Sequence, residues 1–179
     1  MAALPLVEIS KCMNLSINDG SRTLDITIKG YEFSADELKS KPAYVNVDGT
    51  KVAADVYDYN WLNIGFRFTD GSTVRECVDP CVLTWEYGDI ISGLEELLSG
   101  GRSHFDEEEI WLMEPVMRFK ADALGNGWFK VEVGLWPEGK MGEDVDCVIV
   151  EQTVTEAELK RIVAKLRLGR RLFPERSDE

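Results

Sequence analysis

The side chains best suited to chemistry stand together near the middle of the chain. His104, the only histidine among 179 residues, lies two positions before the densest run of carboxylates, Asp106, Glu107, Glu108 and Glu109. Imidazole titrates near neutral pH, so His104 with Asp106 or a nearby glutamate would supply a general acid and base in a small, metal-dependent enzyme. With one histidine, any hydrolytic triad depends wholly on this segment. A surface-loop histidine without a catalytic role is the favoured interpretation.

The acidic run itself has three interpretations. Four adjacent carboxylates can bind a divalent cation, pair with arginine and lysine of a partner, or stay solvated. A hard cation takes ligands from several chain segments, and a contiguous run in one loop rarely encloses an ion. We therefore expect no metal and no other cofactor. A solvated loop is the plainest interpretation, and Asp106, Glu107, Glu108 and Glu109 are the candidate partner-binding residues.

The cysteines do not form a recognisable metal or redox motif. Cys77 and Cys81 are closely spaced, but a four-thiolate zinc site would also need Cys12 and Cys147 to converge from the two ends of the chain. The pattern favours structural packing, with Cys77 in phase with Val74 as a buried small residue. Neither a glycine-rich phosphate loop nor a nucleophile elbow occurs, so we expect no enzyme activity.

The charge of the chain restricts its partners. There are 33 acidic and 20 basic side chains, which give a formal net charge of −13. This field repels nucleic-acid phosphates and attracts basic proteins, although an acidic surface also serves solubility alone. The N-terminal residues lack a basic segment followed by an apolar run, and no apolar stretch reaches ~18 residues. We expect a cytoplasmic protein with reduced thiols, monomeric or weakly dimeric, forming one domain over 1–179 with an ordered core over about 4–174.

Alternating apolar residues predict strands in the first half. One strand is predicted over Thr23–Phe33, with a bend or end at Gly30. Asp48-Gly49 predicts a hairpin turn between short strands. The strongest hairpin prediction runs from Leu62 to Val78 around Asp70-Gly71.

The second half is predicted to add helices and three further strands. A helix capped by Thr84 extends to Gly100-Gly101, and strands follow over residues 110–122, 127–137 and 144–154. Pro115 should lie at a bulge or an edge of the first of these strands. Thr155 and Glu158 form a capping box for a last helix, after which the tail should fray. The five tryptophans are assigned to the core by default.

These elements predict an α+β fold. It would be a mostly antiparallel β-sheet with one internal helix and one C-terminal helix packed on it. Leu62 in the sheet and Ile162 in the last helix should both be buried. Replacing either by alanine should then cost ~2–5 kcal/mol.

Two segments resemble signatures of the WapI-like immunity proteins of bacteria. The segment from Asp58 to Ile64 looks like the Asp-Ala-Asn-Trp-Leu signature of that family, with Tyr59 in place of alanine. The segment from Trp111 to Phe119 looks like the family's Phe-x-Glu-Pro-x-Leu-x-Phe strand. The order of elements between and after them also agrees, so the likeness covers most of the chain from residue 24 to residue 176.

The resemblance implies a non-catalytic role, which is to neutralise a co-encoded toxin that attacks cellular RNA. We interpret the motif residues first as scaffold: Asp58 and Asn60 would support a turn before Trp61, and Glu114 with Pro115 would hold a strand edge. The partner surface would then be the acidic run, imitating phosphates toward a basic nuclease groove. The alternatives are a generic interaction or scaffold domain and the metal-dependent enzyme that uses His104.

Overall fold

The computed structural model describes residues 14–40, 44–45, 51–52, 59–100, 110–142 and 145–177. Ten strands and three helices lie in these ranges, and the predicted α+β class is confirmed. In chain order they are β1 (Asn14–Asn18), β2 (Arg22–Tyr31), α1 (Ala35–Ser40), β3 (Tyr44–Val45), β4 (Lys51–Val52), β5 (Trp61–Asp70), β6 (Thr73–Leu83), α2 (Thr84–Leu98), β7 (Ile110–Trp111), β8 (Met117–Gly125), β9 (Trp128–Leu135), β10 (Val148–Thr155) and α3 (Glu156–Leu172).

The first sheet has the strand order β1-β2-β5-β6, and every neighbouring pair is antiparallel. The predicted hairpin between β5 and β6 is confirmed: Asp70 pairs with Thr73, and Gly71 takes the left-handed φ of 55° that favours glycine in such a turn. Gly30 lies at a shift of register between β2 and β5, where the bend was predicted. Strand β1 and the short helix α1 were not predicted, because five and six residues are too few to display a clear period.

The second sheet has the order β10-β9-β8-β7 and is also antiparallel. The continuous strand predicted over residues 110–122 is wrong, because a turn that contains Pro115 divides it into β7 and β8. The chain folds back there, so that Ile110 lies opposite Phe119. Proline has no amide hydrogen for a ladder, which makes a turn its natural place. Strands β3 and β4 form a separate hairpin, and its predicted Asp48-Gly49 turn lies outside the described residues.

Both sheets and the two long helices share one apolar core. Helices α2 and α3 pack against each other, and α3 also contacts β1, β9 and β10. An apolar pocket of about 30 Å³ is lined by residues from both sheets and both helices, among them Leu15, Ile90, Phe119 and Leu166. The side chains with less than 2% exposure and the largest volumes are Phe66, Phe119, Ile17, Leu24, Leu62, Leu83, Leu94, Leu135, Leu159, Val82, Val131 and Val133.

The two faces of β6 differ from the predicted pattern. Val74 and Val78 are 46% and 53% exposed, so they lie on the solvent side of the sheet. Cys77 is only partly buried opposite Phe66, whereas Cys81 on the same strand is fully buried. The assignment of Cys77 and Val74 to one buried row was therefore wrong, because residues three apart on a strand face opposite sides. Trp128, at the start of β9, is also exposed and departs from the core assignment.

Alanine at Leu62 tests the core assignment. Leu62 is completely buried, so Leu62→Ala should lower the free energy of unfolding by ~2–5 kcal/mol, measured by urea titration. Ile162 is only partly buried, and its replacement should cost less than that of Leu62. The matched control is Leu124→Ala at an exposed site, which should change stability by less than ~0.5 kcal/mol. Equal losses at Leu62 and Leu124 would contradict the strand phases.

Candidate partner-binding site

The structure places some of the predicted site residues and leaves others undescribed. His104, Asp58 and the acidic run from Asp106 to Glu109 lie outside the described residues. Asn60, Trp61, Glu114 and Pro115 are described, and they occupy two separate surroundings. Asn60 and Trp61 stand at the start of β5, whereas Glu114 and Pro115 stand in the turn between β7 and β8.

Asn60 is a fully buried polar side chain at the entry to β5. Its Oδ1 accepts hydrogen bonds from the Thr84 hydroxyl (2.8 Å) and from the backbone N–H of Arg176 (2.8 Å). Its Nδ2 donates to the backbone oxygen of Arg176 (2.9 Å). The amide thus pairs with the main chain of Arg176 as a neighbouring strand would. An amide is the one side chain that offers both a donor and an acceptor in this fork.

The segment after α3 is docked through these bonds as far as Arg176, so the predicted fraying of the tail is wrong for Pro174 to Arg176. The Arg176 guanidinium lies 3.3 Å from the centroid of the Tyr31 ring and donates to the Phe33 carbonyl (2.9 Å). The Tyr31 hydroxyl donates to the Pro174 carbonyl, and its ring meets Phe173 edge to face. One residue in the sequence indicated this docking of the tail: Phe173 is an aromatic residue directly after the last helix.

Trp61 opens β5 opposite Leu83, the last residue of β6. Its carbonyl accepts from the N–H of Glu32 (2.8 Å), and its side chain is half-buried. The Asn60-Trp61 pair therefore joins the beginning of a central strand to the beginning of α2 and to the tail. This geometry is consistent with the scaffold interpretation of the first motif.

Sequence reasoning missed Glu86, which is 8% exposed in the first turn of α2. Its carboxylate accepts the backbone N–H of Leu83 (2.8 Å) and the backbone N–H of Met113 (2.5 Å). The N-cap of α2 is therefore Leu83, and the prediction of Thr84 as the cap is wrong. The Thr84 hydroxyl bonds to Asn60 instead, so the glutamate supplies the capping acceptor from inside the helix.

Burial raises the pKa of Glu86 above its ordinary value, and each of its two backbone hydrogen bonds lowers the pKa by less than burial raises it. The carboxylates of Asp89 and Glu114 raise the pKa further. The three acids therefore form one electrostatic group at the start of α2. Asp89 and Glu114 are exposed there.

The second motif forms a turn that is held at both ends. Leu112 and Val116 are buried, the N–H of Met113 is held by Glu86, and the Val116 carbonyl accepts from the N–H of Trp136 (2.8 Å). Between these anchors Met113 is 53% exposed, and Glu114 and Pro115 also face solvent. A sulfur-containing apolar side chain, a carboxylate and a proline are thereby presented on a supported loop. Such loops commonly carry binding residues.

The described titratable side chains were compared with the requirements of a metal site and of an activated thiol. In those ranges no three of histidine, cysteine, aspartate and glutamate converge as metal ligands would. Burial raises the pKa of the Cys77 and Cys81 thiols, so neither is an activated nucleophile. The buried carboxylate of Asp79 forms an ion pair with Lys140, which serves to hold the 137–142 loop against β6. None of the described helices is long and apolar enough to cross a membrane.

Fold and site together define an acidic α+β protein in which two separated motifs meet at one helix start. The family model described as the immunity protein WapI-like family matches residues 14–174, and the chain belongs to that family. The resemblance found in the sequence is thereby confirmed. No curated protein and no solved structure matches the chain. The family description indicates toxin neutralisation in general.

Asn60→Ala should separate the tail from the body. The substitution removes the partners of the Thr84 hydroxyl and of the Arg176 backbone, and we expect a loss of about 2–4 kcal/mol in the free energy of unfolding. In a chain that ends at Phe173, the same substitution should cost about 1–2 kcal/mol less, since Arg176 is absent. Chemical denaturation of the four proteins measures both values. Equal costs in the two backgrounds would show that Asn60 does not hold the tail.

Glu86→Gln should change how stability depends on pH. A raised pKa in the folded protein means that the folded state binds the proton more tightly, so stability falls as pH rises from 4.5 through the folded pKa. Glutamine does not titrate in this window. The stability of the natural protein minus that of Glu86→Gln should therefore decrease from about pH 4 to about pH 7. A difference that grows with pH would mean that the two backbone hydrogen bonds outweigh burial.

Proposed function

We propose that this protein binds a cognate bacterial toxin with a cationic, RNA-degrading domain and neutralises it without catalysis. The observation that carries the proposal is the match to an immunity family over residues 14–174, which takes in both sheets and both long helices. Among the described residues, no three potential metal ligands converge. An inhibitor that acts by occupying the substrate groove of a toxin requires a stable fold and an accessible surface.

Charge supports a basic partner. A nuclease groove that binds RNA gathers lysine and arginine side chains, and a molecule with a formal net charge of −13 is attracted to such a groove. Long-range attraction of this kind raises the association rate and weakens as salt screens it. Carboxylates then occupy the positions of RNA phosphates. The toxin loses access to its substrate while the inhibitor stays chemically unchanged.

The proposed contact surface surrounds β7. The acidic run from Asp106 to Glu109 directly precedes Ile110, the first residue of that strand. The exposed turn with Met113 and Glu114 directly follows the strand. A short strand thus connects the carboxylates to an apolar side chain. This combination suits a groove that has a charged floor and an apolar rim.

Affinity capture tests the proposal. Tagged protein is purified from cells that produce both partners, washed at about 0.05 M and then about 0.5 M NaCl, and the retained proteins are identified by mass spectrometry. We expect one basic protein that salt releases and whose RNA-degrading activity the purified inhibitor suppresses. Capture of no such protein would contradict neutralisation of a toxin. A partner whose affinity is unchanged by salt would contradict the phosphate-mimicking contact.

A charge-matched pair of variants tests the surface. The first replaces Asp106, Glu107, Glu108 and Glu109 by their amides. The control removes the same number of negative charges at four scattered, exposed acids, Glu138, Asp146, Glu151 and Glu175. We expect the first variant to weaken toxin binding at least about tenfold more than the control, since short-range ion pairs are lost in addition to net charge. Equal weakening would place the contact elsewhere.

A further inference from the structure

Strand β6 is the long outer edge of the first sheet. The other edge strand, β1, lies beside β10, with the N–H of Asn18 donating to the Gln152 side chain (3.1 Å). In the second sheet the outer strand β7 has two residues, whereas β6 has eleven. Among the described strands, β5 is the one that pairs with β6, so the opposite side of β6 presents backbone groups for another strand.

The two halves of β6 are protected unequally. Proteins blunt open edges with proline, lysine and covering loops. Pro80 serves this purpose in the C-terminal half. The 137–142 loop contacts both halves from the face opposite Val74 and Val78, through the Asp79–Lys140 ion pair and through the Arg75 guanidinium, which donates to the Met141 carbonyl (3.0 Å). The half from Thr73 to Val78 has no proline and no lysine, and it exposes Val74 and Val78 on the outer face of the sheet. An exposed apolar edge of this kind is a template for strand pairing.

We propose that β6 pairs with β6 of a second copy of this chain, antiparallel and about a two-fold axis at Glu76. In this register Val74 of one copy lies opposite Val78 of the other, and the symmetry repeats the contact on the other side of the axis. The two exposed valines are spaced evenly about Glu76, which is what makes the edge complementary to itself. The two first sheets become one continuous eight-stranded sheet.

The negative charge of Glu76, the residue on the two-fold axis, is already paired within each copy. Like charges directly opposite one another destabilise a strand pair. Here the Glu76 carboxylate forms an ion pair with Arg67 of its own chain at 2.9 Å, on the neighbouring strand. Each glutamate therefore meets its symmetry mate as part of a neutral pair. Both groups are exposed, so water screens the remaining repulsion.

The dimer should be reversible. A ladder of about five residues, 74–78, with four valine side chains buries less surface than the ~800 Å² per partner of a stable interface. Association should therefore depend on protein concentration. The inference does not rest on the proposed function, because it involves this chain alone and its test contains no toxin.

Cysteine cross-linking tests the register. Glu76→Cys should oxidise to a disulfide-linked dimer, because residues facing each other across a strand pair have Cα atoms ~4.5–5.5 Å apart. Thr73→Cys is the matched control, since the two copies of residue 73 would be about 20 Å apart along the strands. Peptide mapping identifies the linked cysteines and separates them from native Cys77. A disulfide between the two copies of Glu76→Cys that forms no faster than the one in the Thr73→Cys control would overturn the proposal.

The mass of the protein in solution is a second measurement. Analytical ultracentrifugation over a range of concentrations should show the mass rising from one chain to two. Val74→Lys with Val78→Lys should hold the protein at one chain, because lysines at an edge oppose pairing. Leu124→Lys with Trp128→Lys, at exposed apolar sites of the other sheet, should leave the dimer unchanged. A natural protein that stays at one chain throughout the concentration range would also overturn the proposal.

Discussion

The buried amide of Asn60 is the constraint on which the arrangement around the site depends. A side chain removed from water must satisfy its donors and acceptors within the protein, and Asn60 does so with Thr84 and with the backbone of Arg176. These partners belong to a helix start and to the tail, far from Asn60 along the chain. The position of β5, the direction of α2 and the course of the tail are consequently determined together.

Glu86 extends this constraint to the second motif. Its carboxylate joins Leu83, beside the partner of Asn60, to Met113 in the turn between β7 and β8. The first motif is thus connected to the second through one turn of α2, although 46 residues lie between them in the sequence. Burial of an ionised group is costly, and burial raises the pKa of Glu86. The Glu86 carboxylate accepts the N–H of Met113 and so holds the backbone of the exposed turn.

The sequence predicted elements whose signals are local. The β5–β6 hairpin follows from alternation and from Asp70-Gly71, and the Thr155–Glu158 capping box forms as expected, with Glu158 accepting the N–H of Thr155 at 2.8 Å. Thr84 and the tail were mispredicted because their partners are distant in sequence. A threonine before an apolar helix is typical of an N-cap, but the Thr84 hydroxyl donates to the side chain of Asn60. For the site, spacing indicated the motifs, but it carried no signal for Glu86.

The two family motifs differ in how far their side chains are used within the fold. Asn60 is buried and forms its hydrogen bonds within the fold. This residue therefore supports the architecture and gives little information about the partner. Met113 and Glu114 contribute side chains to solvent, and replacing either costs the fold little as long as the Met113 N–H keeps its bond to Glu86. Asn60 therefore acts within the fold, whereas the second motif both supports the fold through the Met113 N–H and leaves the side chains of Met113 and Glu114 accessible.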